Sequence, residues 1–292
     1  MTDTAAPIAA DLPEIPEVPE PVRRVTRAVW REGEVTSGER AVPEETPVAL
    51  TYNGTTHAVM MASPIDIEAF ALGFSLTEGI VASAADILSL DVIAVEEGIE
   101  ARMWIAEEKM AVLGARRRYL AGPTGCGLCG VESLAEAVRP AAQVTGDLVV
   151  PAALLLEAMA ALGPAQALNH ETRAVHAAGY FQPGQGLLAV AEDVGRHNAL
   201  DKLVGKVARL EAEPARGLLL LTSRVSIEMV QKAAVLGVPV IAAVSAPTSL
   251  AIRTAERAGI TLAAIVRSDG FEVFTHPGRI DLGNPKRHAH VA

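Results

Sequence analysis

Residues 218–244 read LLLLTSRVSIEMVQKAAVLGVPVIAAV, and this stretch decides the fold. Leu218–Thr222 and Val238–Val244 are apolar runs of strand length, and the intervening Val225–Leu236 carries an apolar face at helical spacing. A strand without alternation must be covered on both faces, which calls for a sheet flanked by helices. The same alternation continues outward. Strand-like Gly186–Val190 precedes a helix through Leu200–Leu210. A helix over Leu250–Ala258 leads into Leu262–Val266, and Phe271–Phe274 makes a short last strand. Ligands usually bind outside the carboxyl ends of such strands, so the strand-to-helix junctions are the places to look for chemistry.

The preceding part of the chain is organised differently. Pro47–Tyr52 reads as a strand, Asn53-Gly54 as a tight turn and Thr56–Met61 as the returning partner. Ser63-Pro64 is expected to open a helix through Phe70, Leu72 and Phe74, with Pro64 in the first turn, where its missing N–H costs nothing. A second hairpin is expected from Asp91–Val95 and Glu100–Ile105, turning at Glu97-Gly98. These elements make a smaller α+β unit over residues 41–123, followed by a cysteine loop and α/β domain over 124–280 and a flexible tail over 281–292. Residues 1–40 are expected to be a disordered tail. The first 22 are acidic and proline-punctuated, with Asp3, Asp11, Glu14, Glu17 and Glu20 and no Lys or Arg.

Composition narrows the function classes. Half of the 292 residues are hydrophobic but only 3% are aromatic, so the core must be built from Ala, Val, Leu and Ile. A net charge of −10 argues against nonspecific nucleic-acid binding, which draws its affinity from phosphate neutralisation by Lys and Arg. The chain shows neither a secretory signal pattern nor eighteen unbroken apolar residues, and is expected to be cytoplasmic and not membrane-bound.

Both cysteines, Cys126 and Cys129, lie in the glycine-wrapped stretch Thr124–Gly130, TGCGLCG. In a reducing compartment a close pair is more often catalytic or metal-binding than structural. Val131, Leu134, Ala135 and Val138 recur on one helical face and Pro140 stops the run, so the pair feeds a helix start. That position favours the thiolate, and Arg116-Arg117-Arg118 adds positive potential. A structural zinc site needs about four ligands, and no second CxxC exists. A zinc deaminase needs an upstream His-x-Glu, whereas only His57 precedes the pair, without that Glu. No bound metal is therefore expected. A thioredoxin-type pair should follow a strand, and here a glycine loop and the arginine patch precede it.

A second cluster, Glu192-Asp193-Val194-Gly195-Arg196-His197-Asn198-Ala199-Leu200-Asp201-Lys202, opens a helix after a strand. Asp193 is a plausible N-cap, and Asp193, His197 and Asp201 fall four apart on the face opposite the apolar one. Such a junction presents donors to a phosphate or nucleobase. Ser223-Arg224 and Ser245–Ser249 repeat the arrangement after the next two strands, where N-capping is the ordinary explanation. Together the junctions could form a groove for a large phosphorylated ligand. No GxGxxG or P-loop lysine motif is present.

These segments, with Met61-Ala62-Ser63-Pro64, Gly73–Ile80 and Ser223–Ala233, closely resemble the FdhD family of sulfur carrier proteins required for formate dehydrogenase activity; the match runs from about Thr46 to His276. The resemblance implies a cytoplasmic homodimer whose larger domain is a three-layer α/β/α, cytidine-deaminase-like fold without deaminase chemistry. It implies a sulfurtransferase that moves persulfide sulfur from a cysteine desulfurase to the bis-molybdopterin guanine dinucleotide cofactor. Cys126, between two glycines, is the expected persulfide carrier, with Cys129 able to assist release. Cofactor and guanine-nucleotide contacts are expected at Arg196, His197 and Asn198 and at Ser223 and Arg224. The resemblance adds Ile265, Val266, Arg267, Ser268, Asp269 and Gly270. The alternatives are a dithiol oxidoreductase and a cofactor-binding chaperone whose cysteines line the site.

Overall fold

The structure is a computed structural model that describes residues 16–110, 113 and 139–283. Its larger sheet has strand order β13-β12-β11-β10-β8-β9. The strands are β8 (His176–Gln182), β9 (Gly186–Asp193), β10 (Leu218–Leu221), β11 (Val240–Ala243), β12 (Thr261–Arg267) and β13 (Gly270–Thr275). β10, β11 and β12 run parallel, whereas β8 is antiparallel to β10 and β9 antiparallel to β8. The carboxyl ends of β9, β10, β11 and β12 therefore share one edge of the sheet, together with the first residue of β8.

Leu218–Leu221 are all buried, and their alternate side chains enter different cores. Leu219 and Leu221 face α4 (Arg196–Val207), α5 (Ile227–Leu236) and α6 (Ser249–Ala258). Leu218 and Leu220 face α2 (Ala152–Leu162) and the short pair β7 (Val150–Pro151) and β14 (Ile280–Asp281). The unbroken leucine run thus reflects a sheet sandwiched between helices. A short α3 (Ala167–Thr172) precedes β8.

The smaller sheet, β4-β3-β6-β5, comprises β3 (Thr46–Tyr52), β4 (Thr55–Ala62), β5 (Ile87–Val95) and β6 (Gly98–Ile105). Asn53 and Gly54 both have positive φ, 45° and 77°, as a two-residue turn of type I′ requires. The Asn53 side chain also bridges to β6, donating to Ile105 O and accepting from Ile105 N–H. α1 (Ile67–Thr77) covers the inner face and buries Phe70 and Phe74 against Val48, Leu50 and Met103. Its expected start at Ser63-Pro64 is displaced: the N-cap is Asp66, because Ser63 is held by the second domain instead.

Residues 22–43 depart from the expected 1–40 tail. They form an antiparallel hairpin of β1 (Val22–Arg31) and β2 (Glu34–Pro43), turning at Glu32-Gly33. Charged and apolar residues mix on both of its faces and little is buried, so its sequence lacks the one-sided alternation that marks a half-buried strand. The tail expected from residue 281 likewise begins inside β14.

The two domains meet through glycine. A Cβ added to Gly73 on α1 would lie 1.7 Å from Asp201 O, and one added to Gly205 on α4 would lie 1.9 Å from Ala69 O. The helices cross with backbone against backbone, so no side chain can yield. Gly205→Ala should therefore cost at least about 2–3 kcal/mol, the upper part of the overpacking range. An unchanged melting temperature would contradict this crossing.

Candidate functional site

Much of the polar cluster at the β9–α4 junction is consumed by the interdomain contact. Asp193, expected as a surface cap, is fully buried. It accepts from Ser63 N–H at 2.9 Å and Gly195 N–H at 2.7 Å, and Lys202 Nζ lies 2.6 Å away. Lys202, also fully buried, donates to Ser63 O at 2.8 Å, and Ser63 Oγ accepts from Val194 N–H. Burial pulls the Lys202 ammonium below the ordinary lysine value, against the attraction of Asp193.

Further along the same helix, Asp201 is buried with both carboxylate oxygens within 2.9 Å of Lys232 Nζ, while Thr77 Oγ1 donates to Oδ1 at 2.7 Å. Burial opposes charge on Lys232, but Asp201 and then Glu78 outweigh it and hold the ammonium above the ordinary lysine value. The i,i+4 spacing that suggested a solvent face thus arises from two buried ion pairs facing the other domain. Asn198 belongs to the same lock. Its amide donates to Met61 O at 2.8 Å and to Asp193 Oδ1, so it does not point at the sheet edge as expected.

What remains at the sheet edge carries more cations than anions. Arg196 and His197 open α4, and His176 stands at the start of β8, across from Asp193 in register. Burial first, then neighbouring Arg196, pull the His176 imidazole below the ordinary histidine value. Arg196 Nε is buried without an acceptor among the described residues. Asp193, the nearby carboxylate, is already committed to Lys202 and to donors from Ser63, Gly195 and Asn198. His197 Nε2 lies 3.7 Å from Glu228 Oε2, beyond hydrogen-bond reach. His197 and the Ser226 hydroxyl, which donates at 2.6 Å, hold the Glu228 carboxyl down, to about 2.

The next two junctions are knitted together. Val225 bridges Pro247, and Thr248 N–H donates to Val225 O. This bridge explains why α5 starts at Ile227 and not at Val225. Thr248 caps α6 through its side chain, as N-capping predicts, whereas Ser226 turns its hydroxyl to Glu228. Ser223 is buried, with its hydroxyl on Arg224 O, and Arg224 is exposed.

Segment 265–270 is divided. Ile265 adopts a left-handed φ of 54°, costly for a β-branched residue, at a bulge between β12 and β13. The bulge returns the Arg267 guanidinium onto Val244 O and Val266 O. Val266 is buried in the core on the α2 side, Ser268-Asp269 form an exposed turn and Gly270 begins β13. The edge therefore brings together Arg196, His197, Arg224 and Arg267 but not Asn198 or Val266. Cys126, Cys129, the arginine patch and the helix expected after the pair lie outside the described residues. Sequence reasoning missed His176 and Glu228 at this edge. His176 starts a strand not recognised in the sequence, and Glu228 has the signature of an ordinary first-turn acid.

The chain is a mixed α/β protein that carries a CxxC sequence. The FdhD/NarQ family model matches residues 43–281, and the chain belongs to that family. It is 54% identical over 261 residues to the sulfur carrier protein FdhD of Agrobacterium fabrum, covering 89% of this chain and 96% of that protein. Against the sulfur carrier protein FdhD of Cupriavidus necator the identity is 49% over 251 residues, covering 86% and 87%. A crystal structure from Desulfotalea psychrophila, provisionally described as a formate dehydrogenase accessory protein, superposes with a TM-score of 0.68 at 27% identity. That match covers 89% of this chain and all of the other.

Proposed function

We propose that this protein is a sulfur carrier serving formate dehydrogenase, taking sulfane sulfur from a cysteine desulfurase onto Cys126 and delivering it to the bis-molybdopterin guanine dinucleotide cofactor. The supporting observation is the sheet edge, where half-buried Arg196 has a buried Nε without an acceptor among the described residues, beside His176 and His197. An unpaired cationic donor of this kind favours an anion such as the phosphates of the guanine dinucleotide. In the loading step the Cys126 thiolate attacks the outer sulfur of the desulfurase persulfide, and the donor's cysteine thiolate leaves. For release, the Cys129 thiolate attacks Cys126 Sγ. Hydrosulfide departs, and the two cysteines supply its electrons by becoming a disulfide. Arg196 and Arg224 bind and orient the phosphates. The reading extends to a cytoplasmic homodimer with no resident metal, and to a deaminase-like scaffold that has exchanged zinc chemistry for sulfur carriage.

Titration with GDP tests the site. Binding should saturate and weaken on Arg196→Ala or Arg224→Ala by about 1.5–3 kcal/mol, the worth of one charge-assisted hydrogen bond, or roughly ten- to a hundredfold in Kd. Equal affinity for ADP and GDP would reduce the edge to a generic phosphate site.

A further inference from the structure

The stretch that carries both cysteines is held on either side by described residues. Before it, Leu113 is buried in the core of the smaller sheet, with Phe70 and Met103. After it, Arg139 is clamped twice. Its guanidinium donates to Thr77 O at 3.2 Å and stands 3.6 Å from Glu78 Oε2, and its own carbonyl accepts from the Gln231 amide at 2.8 Å. Glu78 also meets Lys232, whose ammonium is paired with Asp201. The chain therefore returns from its cysteines onto the interdomain ion pairs.

That clamp lies close to the sheet edge. Asp201 and Lys232 each stand four residues, one helical turn or about 6 Å, along α4 and α5 from His197 and Glu228. Cys129 is ten residues before Arg139. Ten residues span about 15 Å as helix and about 17 Å on average as flexible chain, so on either count the edge is within reach. Without the clamp the root would fall back to Gln143, which donates to Arg257 O, and Val144, whose N–H donates to Ala258 O. Those bonds sit at the far end of α6, about 15 Å from the edge where that helix starts.

We propose that Arg139 is a positioning residue for sulfur transfer: it roots the cysteine stretch one helical turn below the sheet edge, so that the thiols sample the space over Arg196 and Arg224. The clamp shortens the tether from Cys129 from fifteen residues, counted to Val144, to ten. The concentration that a tether imposes falls with about the −3/2 power of its length, and further when its root is distant, so the clamp raises the thiol concentration at the edge by about threefold or more. The proposal rests on the sulfur-carrier reading above and adds how the cargo is brought to its acceptor.

A disulfide trap in the full chain tests it without any sulfur transfer. Cys126→Ser with Arg224→Cys leaves two thiols, one of them at an exposed position on the edge. Their equilibrium with glutathione, read by intact-protein mass, gives their effective concentration, which should reach about the millimolar range. Adding Arg139→Ala with Gln231→Ala should lower it by about threefold or more, and Arg139→Ala alone, at a half-buried side chain, should move it the same way. Two glycines inserted between Pro140 and Ala141 should leave it unchanged, because they lengthen the chain on the far side of the clamp. In the variant lacking Arg139 and Gln231, the same insertion should lower it again. An effective concentration that ignores the loss of both residues, or a trap that forms no disulfide with the clamp intact, would overturn the proposal. A trap that behaves as expected in a chain that takes no sulfur from a desulfurase would instead sink the carrier reading and leave the clamp standing.

Discussion

Cys126→Ser should abolish persulfide formation and leave formate dehydrogenase inactive in cells. Serine cannot hold sulfane sulfur, and this chain has just two cysteines. Cys129→Ser should still load, because the carrier thiolate is intact, but should deliver more slowly once the attack that releases hydrosulfide is lost. Intact-protein mass spectrometry after desulfurase treatment separates the roles. A gain of one sulfur atom on Cys126→Ser and none on Cys129→Ser would reverse them. Label retained until a reductant removes it marks a carrier, whereas a dithiol oxidoreductase or a chaperone would retain none.

Asp201→Ala should strongly destabilise the domain contact. It leaves Lys232 buried without its closest counterion, and breaking a buried pair from one side costs about 3–5 kcal/mol. At about 2–4 °C per kcal/mol for chains of roughly this size, the melting temperature should fall by about 6–20 °C. Replacing both partners by apolar residues, Asp201→Leu with Lys232→Met, should recover much of the loss, since the buried pair is then gone as a whole and Glu78 keeps Arg139. A single variant that melts within a degree or two of the parent would mean the pair contributes little.

The layered domain was legible because Leu218–Leu221 and Val240–Ala243 are buried on both faces, which leaves an unbroken apolar signature. The Asn53-Gly54 turn was legible because few other residue pairs take positive φ twice in succession. The candidate site was legible only in part, for a physical reason. A polar residue that binds a ligand and one that bolts two domains together are indistinguishable in one dimension. Arg196 and His197 stand at the sheet edge, while Asn198, Asp201 and Lys202, in the same helix, face Met61, Thr77 and Ser63. Only the partners, more than a hundred residues away in the chain, separate the two kinds. His176 was hidden because β8 runs antiparallel, so its first residue and not its last reaches the edge. The β1–β2 hairpin was hidden because it buries almost nothing within its own chain.

The lock between Ser63 and Asp193 spans 130 residues, and that between Thr77 and Lys232 spans 155. On the ribosome the smaller domain emerges long before its partners are made. At about 5–20 residues per second, it waits for many seconds with the Ser63 backbone unmatched and the glycine face of α1 uncovered. A fragment ending before Asp193 is therefore an unfinished surface, poised to aggregate or to recruit a chaperone. Attempts to express the first domain alone should founder on solubility, while co-expression of the two halves should rescue it.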